Sequence, residues 1–259
     1  MRFAIGLEYL GSGFKGWQRQ RTERTVQATV EDALIRVAER PVAVVTAGRT
    51  DTGVHATGQV VHFDTDSQRS EYSWLRGANS CLPPDVSLLW VSPVQDNFHA
   101  RFSALSRSYR YIIINRRIRA AIVRDLTAWD YRPLNATRMQ RAANLLIGEH
   151  DFSGFRAAGC QAQSTIRIIH EFVVRRHGDW ISLDVRANAY LQHMVRNLAG
   201  VLIAIGAEER PVEWAQDVLH GRDRRLGGVT APASGLYLTA VEYPPTFPLP
   251  EPPAFPRFW

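Results

Sequence analysis

"VAVVTAGRTDTGVHATGQVVHFD", residues 42 to 64, contains two β-branched runs separated by a segment rich in glycine and polar side chains. The runs predict strands at 42–46 and 58–64, and the residues between them, 47–57, read as a loop. The first strand reads as buried, since it has almost no polar residue. Asp51 sits in the loop with Arg49 two positions before it and Gly53 two positions after. Residues two apart in an extended segment face the same side, so a carboxylate and a guanidinium are presented together on a glycine-flanked turn. A guanidinium at that distance favours the ionised carboxylate, which suits a nucleophile or general base better than a general acid. The same window is equally compatible with a surface turn closed by a local ion pair. His55 and His62 read as hydrogen-bonded structural residues, because neither has a partner at triad or metal-ligand spacing.

Outward from this segment the chain alternates strands and helices. Residues 2–9 predict a strand, and "GSGFKGWQRQRTER" a basic, glycine-punctuated loop containing Lys15, Arg19, Arg21 and Arg24. Thr25 is a candidate N-cap for a helix whose apolar stripe is Val26, Val30, Ala33, Leu34, Val37 and Ala38, stopped by Pro41. Further on, the pattern predicts a short helix near 71–79, a strand "VSLLWVSPV" and a strand at 108–115. After these come a helix near 136–147, strands at 166–176 and 180–187, helices at about 190–206 and 212–219, and a last strand at 236–243. This order suggests an α+β protein of two similar halves, each a mainly antiparallel sheet with helices packed on one face, and an active-site cleft between them. The halves are read as 1–105, carrying the loop with Asp51, and 106–243. Residues 244–259, "PPTFPLPEPPAFPRFW", hold seven prolines and form a tail that is either disordered or an extended arm, its aromatics favouring the arm.

Composition narrows the classes. The 259 residues are 45% hydrophobic and 22% charged, and no run approaches the roughly 18 apolar residues of a membrane span. No signal peptide is visible at the start, so a cytoplasmic location is expected. Cys81 and Cys160 have neither disulfide-framework nor zinc spacing. Phosphate-loop, dinucleotide, zinc-peptidase and serine-hydrolase motifs are missing. "DTG" at 51–53 is also the tripeptide of aspartic proteases, but these need a second carboxylate to share a proton, and the motif occurs once. The net charge is +6, and between Asp96 and Asp125 there are seven arginines and no acid. Arg101, Arg107 and Arg110 fall in that stretch among Phe98, Phe102, Tyr109 and Tyr111, a pattern suited to nucleic acid or simply to a solvated basic face.

Seven windows in order carry a resemblance: "YLGSGFKGWQRQ" (9–20), "TVQ" (25–27), "AGRTDTGVHATGQVVHF" (47–63), "FHARFSALSRSYRY" (98–111), "HDFSGFR" (150–156), "ANAYLQHMVRNLAGVL" (187–202) and "ASGLYLTAVEY" (233–243). Together they resemble the tRNA pseudouridine synthase A family over nearly the whole chain. Leu10, Thr52 and Tyr190 depart from it, standing where aspartate, alanine and phenylalanine are usual. The resemblance implies an isomerase that converts uridine to pseudouridine at positions 38, 39 and 40 of the tRNA anticodon stem-loop, working as a homodimer without cofactor or metal. It implies that Asp51 is the nucleophile, that Tyr109 stacks on the target base, and that Arg196 pairs with the carboxylate. Arg49 is implied to help extrude the base, and Leu236 to contact the substrate. A uridine in a stem must be flipped out first, at a cost of a few kcal/mol. Lys15, Arg19, Arg21, Arg24, Arg101, Arg107 and Arg110 are the expected phosphate contacts. The rivals are a noncatalytic RNA-binding protein and a hydrolase using Asp51, for which no partner acid is evident.

Overall fold

A computed structural model describes residues 1–251. In chain order the strands are β1 (Arg2–Tyr9), β2 (Val45–Thr46), β3 (His55–Asp64), β4 (Val86–Val94), β5 (Ser106–Asn115), β6 (Ala128–Asp130), β7 (Gly148–Asp151), β8 (Ile166–His177), β9 (Trp180–Ala187) and β10 (Leu236–Glu242). The helices are α1 (Val26–Ala38), α2 (Glu71–Cys81), α3 (Ala136–Asn144), α4 (Met194–Gly206) and α5 (Trp214–Gly221). The fold is α+β with mostly antiparallel strand pairing, as the sequence suggested. The described residues divide into two compact units, Met1–Arg107 with 237–251, and Ser108–Leu236.

In the first unit β1 lies between β3 and β4, antiparallel to both, with Ile5 opposite Val61 on one side and Val91 on the other. β3 is buried along nearly its whole length, which explains why "GQVVHF" carries apolar residues on both faces. The alternation of the strand sends Phe3 and Phe63 to one side, where they meet Trp74 of α2 at ring distances of 6.0 and 5.1 Å. Ala4 and Val60 point the other way, into a cluster with Ala47, Phe98 and Ala100. Trp90, Tyr243, Phe247 and Leu249 cover that cluster, and Phe98 meets Phe247 edge-on at 5.2 Å. Within the described residues the proline-rich tail is therefore an arm laid on the sheet. Its last residues, 252–259, lie outside them.

The sequence reading placed the final strand in the C-terminal half. Tyr237 and Leu238 instead pair in parallel with His55 and Ala56, so residues 237–251 belong to the unit that carries Asp51. The predicted buried strand 42–46 shortens to Val45–Thr46, paired with β3; Val42 and Val44 are buried but Val45 is exposed. β3 starts at His55, three residues earlier than its apolar run suggests.

In the second unit β8 and β9 form an antiparallel hairpin turned at Gly178, whose φ is +58°, and β7 adds to the other edge of β8. β6 pairs in parallel with β5. α3 packs on β8 and on α4. Almost every residue of α4 is buried, which matches its continuous apolar sequence. This helix begins at Met194, later than its periodicity suggests, because His193 just before it has φ +60°, off the helical path.

Candidate active site

The Asp51 loop is a constrained turn. The carbonyl of Asp51 accepts from the amide of Val54 at 3.1 Å, and Gly53 between them has φ +79°, the value required at the third position of a type II turn. The carboxylate is half-buried and Thr52 is exposed. Arg49 is also exposed, and its guanidinium forms no hydrogen bond or ion pair among the described residues. The local Arg49–Asp51 ion pair allowed by the sequence does not form. The cation points into solvent.

The neighbouring backbone atoms, in contrast, are tied from several directions. Ala47 receives two donors from Arg107, Nη2 at 3.0 Å and Nε at 3.3 Å, on its carbonyl, while its amide bonds the Val60 carbonyl at 2.8 Å. The Gly48 carbonyl accepts from Gln59 Nε2 at 2.7 Å. The Thr50 hydroxyl meets the phenol of Tyr9 at 2.8 Å, and the Thr50 carbonyl accepts from the Trp17 amide at 3.0 Å. Tyr9 is wholly buried, and burial pushes its phenol up to about 12, so it stays a neutral hydrogen-bonding group at physiological pH. Gly16 abuts the same stretch: its φ is +86°, and a Cβ there would lie 2.9 Å from the Thr50 carbonyl oxygen.

Both histidines near the loop are structural acceptors. His55 Nδ1 accepts from the Gly11 amide at 3.0 Å, and its ring stacks on Tyr237 at 4.7 Å. His62 Nδ1 accepts from the Ala100 amide at 3.1 Å; burial, reinforced by the Arg2 charge and His99, lowers its pKa to about 4.

In the second unit Tyr109 is buried in β5, with its ring edge-on to Tyr190 at 4.9 Å. Arg196, on the first turn of α4, donates through Nε to the Ala231 carbonyl at 2.8 Å and accepts the Ala231 amide on its own carbonyl at 3.1 Å. The preceding residue but two, His193, has φ +60°, so the helix enters through a sharp reversal. Leu236 is buried at the start of β10.

The seven candidate phosphate contacts divide by environment. Lys15 and Arg21 are exposed on the loop that packs beside Thr50, and neither side chain has a partner among the described residues. Arg19 and Arg24 are exposed but engaged: Arg19 pairs with Glu31 and Asp32 at 2.7 and 2.9 Å, and Arg24 grips both oxygens of Asp85 at 2.7 Å. Arg101 is exposed over the Phe102 ring. Arg110 is bound to Asp184 at 2.5 Å. Arg107 is buried and turned inward to backbone carbonyls rather than outward to solvent. Among the described residues no cluster of three His, Cys, Asp or Glu side chains is placed to hold a metal ion, and no helix is long and apolar enough to cross a membrane. Tyr9, Thr50 and Gln59 escaped the sequence reading. Gln59 alone left a signal, as a polar residue inside a buried strand.

A half-exposed carboxylate on an anchored turn, with Arg49, Lys15 and Arg21 exposed on this and the neighbouring loop, is thus held on an α+β fold. The chain matches the family described as tRNA pseudouridine synthase over residues 7–103 and 142–244, and it belongs to that family, whose members are isomerases. It is 57% identical over 251 residues to a protein of Nitrosococcus oceani called tRNA pseudouridine synthase A, covering 97% of each chain. Proteins of the same name from Coxiella burnetii (54% identity, 99% of this chain and 98% of the other) and Pseudomonas aeruginosa (53%, 96% and 88%) are similarly close.

Proposed function

We propose that this chain isomerises uridine to pseudouridine at positions 38, 39 and 40 of the tRNA anticodon stem-loop, with Asp51 as the nucleophile. The reaction breaks the bond between the ribose and N1 of uracil and joins the same ribose carbon to C5; the C5 hydrogen leaves as a proton and N1 takes one up, so substrate and product are isomers. It consumes neither redox equivalents nor phosphate energy. The stem uridine is flipped from its stack with Arg49 contacting the RNA and helping to extrude the base, Tyr109 stacks on the extruded ring beside Leu236, and Arg196 pairs with the Asp51 carboxylate. The cost of extrusion, a few kcal/mol, is met by phosphate contacts from exposed cations such as Lys15, Arg21 and Arg101 and by stacking. The enzyme acts as a cytoplasmic homodimer on tRNA.

The observation that carries this reading is Asp51 itself, presented half-buried by a turn whose neighbours at 47, 48 and 50 are bonded to the fold. Such fixed geometry is what converts a weak nucleophile into an effective one. The test treats unmodified tRNA with the purified protein and maps pseudouridine chemically by position. Modification at 38, 39 and 40 by the wild type, none by Asp51→Asn or Asp51→Ala, and tRNA binding retained in both variants is the expected result. Modification confined to other positions overturns the substrate assignment.

A further inference from the structure

Three buried side chains hold the Asp51 loop from beneath, each at a different residue. Arg107 takes the carbonyl of Ala47, Gln59 the carbonyl of Gly48, and Tyr9 the hydroxyl of Thr50. The residues between and after these anchors, Arg49 and Asp51, are the ones whose side chains reach solvent. The three holders are themselves fixed. Arg107 also donates to the carbonyls of Arg101 at 2.5 Å and Ala104 at 3.3 Å, so one planar guanidinium joins the Asp51 loop to the 101–104 turn. Gln59 uses its Oε1 to accept the Val60 amide at 3.2 Å and its amide hydrogens to reach both Gly48 and, at 3.4 Å, Tyr9. Its side-chain orientation is thereby set by the strand it belongs to.

We infer that Arg107, Gln59 and Tyr9 are positioning residues for Asp51, and that Arg107 serves the reaction through the loop backbone rather than by contacting RNA. This rests on the proposed role of Asp51. A buried guanidinium with a fork of donors is suited to joining several carbonyls; lysine lacks the fork, and an apolar residue leaves the carbonyls it served without a partner. Loss of an anchor leaves the loop a range of positions, and a displacement near 1 Å costs on the order of a hundredfold in rate.

The test compares Arg107→Lys, Arg107→Met, Gln59→Leu and Tyr9→Phe with the wild type in three measurements: single-turnover rate and tRNA affinity, the salt dependence of that affinity, and amide exchange. The expected result is a rate lowered about ten- to a hundredfold for Arg107→Met and Gln59→Leu, and less for Tyr9→Phe and Arg107→Lys. Affinity stays within about twofold and the salt slope is unchanged. Exchange of the Val54 and Trp17 amides, which bond Asp51 and Thr50, accelerates, while α4 amides stay protected. Weakened tRNA binding with a flatter salt slope in Arg107→Met makes it a phosphate contact and overturns the inference. So do wild-type rates and loop exchange in all four folded variants. The exchange readout needs no catalysis, so it decides on the anchoring even if the wild type makes no pseudouridine, an outcome that would defeat only the proposed function.

Discussion

Replacing Gly16 by alanine perturbs the Asp51 loop from outside, and the structure sets the size of the effect. Gly16 has φ +86°, a conformation that costs an L-residue about 1–2 kcal/mol. The added Cβ would also lie 2.9 Å from the Thr50 carbonyl oxygen and 3.2 Å from the Thr52 nitrogen, both backbone atoms flanking Asp51. Neither can rotate away as a side-chain tip would. The Thr50 carbonyl is moreover held at 3.0 Å by the amide of Trp17, the residue next to Gly16, so relief of the clash stretches that bond. Relief needs a shift of a few tenths of an ångström, and with roughly a hundredfold lost per 1 Å the expected fall in single-turnover rate is about five- to tenfold. Gly178→Ala supplies the control: φ is +58° there too, but nothing lies within 4 Å of the new methyl. It should lose only the conformational term, lowering Tm by about 2–4 °C per kcal/mol, with no change in rate. Pseudouridine formation in a single turnover, measured beside thermal melting, separates the two. A Gly16→Ala protein with wild-type rate and a Tm equal to that of Gly178→Ala would refute the claim that the basic loop and the Asp51 loop are packed as one piece.

Three further outcomes are expected. Arg21→Gln should flatten the log–log salt dependence of tRNA binding by about 0.7–0.9, since its guanidinium is unpaired in the free protein; Arg19→Gln should flatten it less and lower Tm, because it strips the buried Glu31 of its ion pair. His62 has a folded pKa near 4 against an ordinary value near 6.5, so the unfolded chain binds more protons in that interval and stability falls as pH drops from about 6.5 to 4. His62→Asn, which keeps an acceptor for the Ala100 amide, should show a shallower acid limb in denaturant titrations, and an identical limb would count against the assignment. Thr25→Val should leave Tm unchanged or raised: the hydroxyl is buried with no hydrogen-bond partner among the described residues and makes no capping bond, although its position is that of an N-cap. A loss near 1 kcal/mol, the usual effect of removing a cap, would show that the hydroxyl is engaged after all.

That threonine marks where sequence reading stopped. The stripe from Val26 to Ala38 located α1 and its buried face, because helical periodicity is local, and Thr25 occupies the N-cap position; whether its hydroxyl bonds is decided by packing that no local pattern encodes. The same limit explains β10. Its alternation was legible, but its parallel pairing with His55 and Ala56 joins residues some 180 apart in the chain, so its unit was not. β6 and β7, three and four residues long, are too short to leave a periodic signal. At the site, the turn at Gly53 was readable from its glycine, and Asp51 stood out once several distant motifs were taken together. Charge was the poorer guide. Arg107 counts as a cation in the sequence and is an internal bracket in the structure, whereas Lys15, Arg21 and Arg49 do face solvent. Proximity in sequence likewise suggested an Arg49–Asp51 pair, yet the Arg49 guanidinium is exposed and makes no ion pair among the described residues.

The central claim, that Asp51 drives the transfer of the ribose bond from N1 to C5, is tested most directly by following the hydrogen that must leave. tRNA carrying tritium at C5 of uridine releases it to water only when C5 acquires its new bond. The expected result is release by the wild type from positions 38, 39 and 40, and release at background level by an Asp51→Asn protein that still binds the tRNA. Tritium release by Asp51→Asn at the wild-type rate would contradict it.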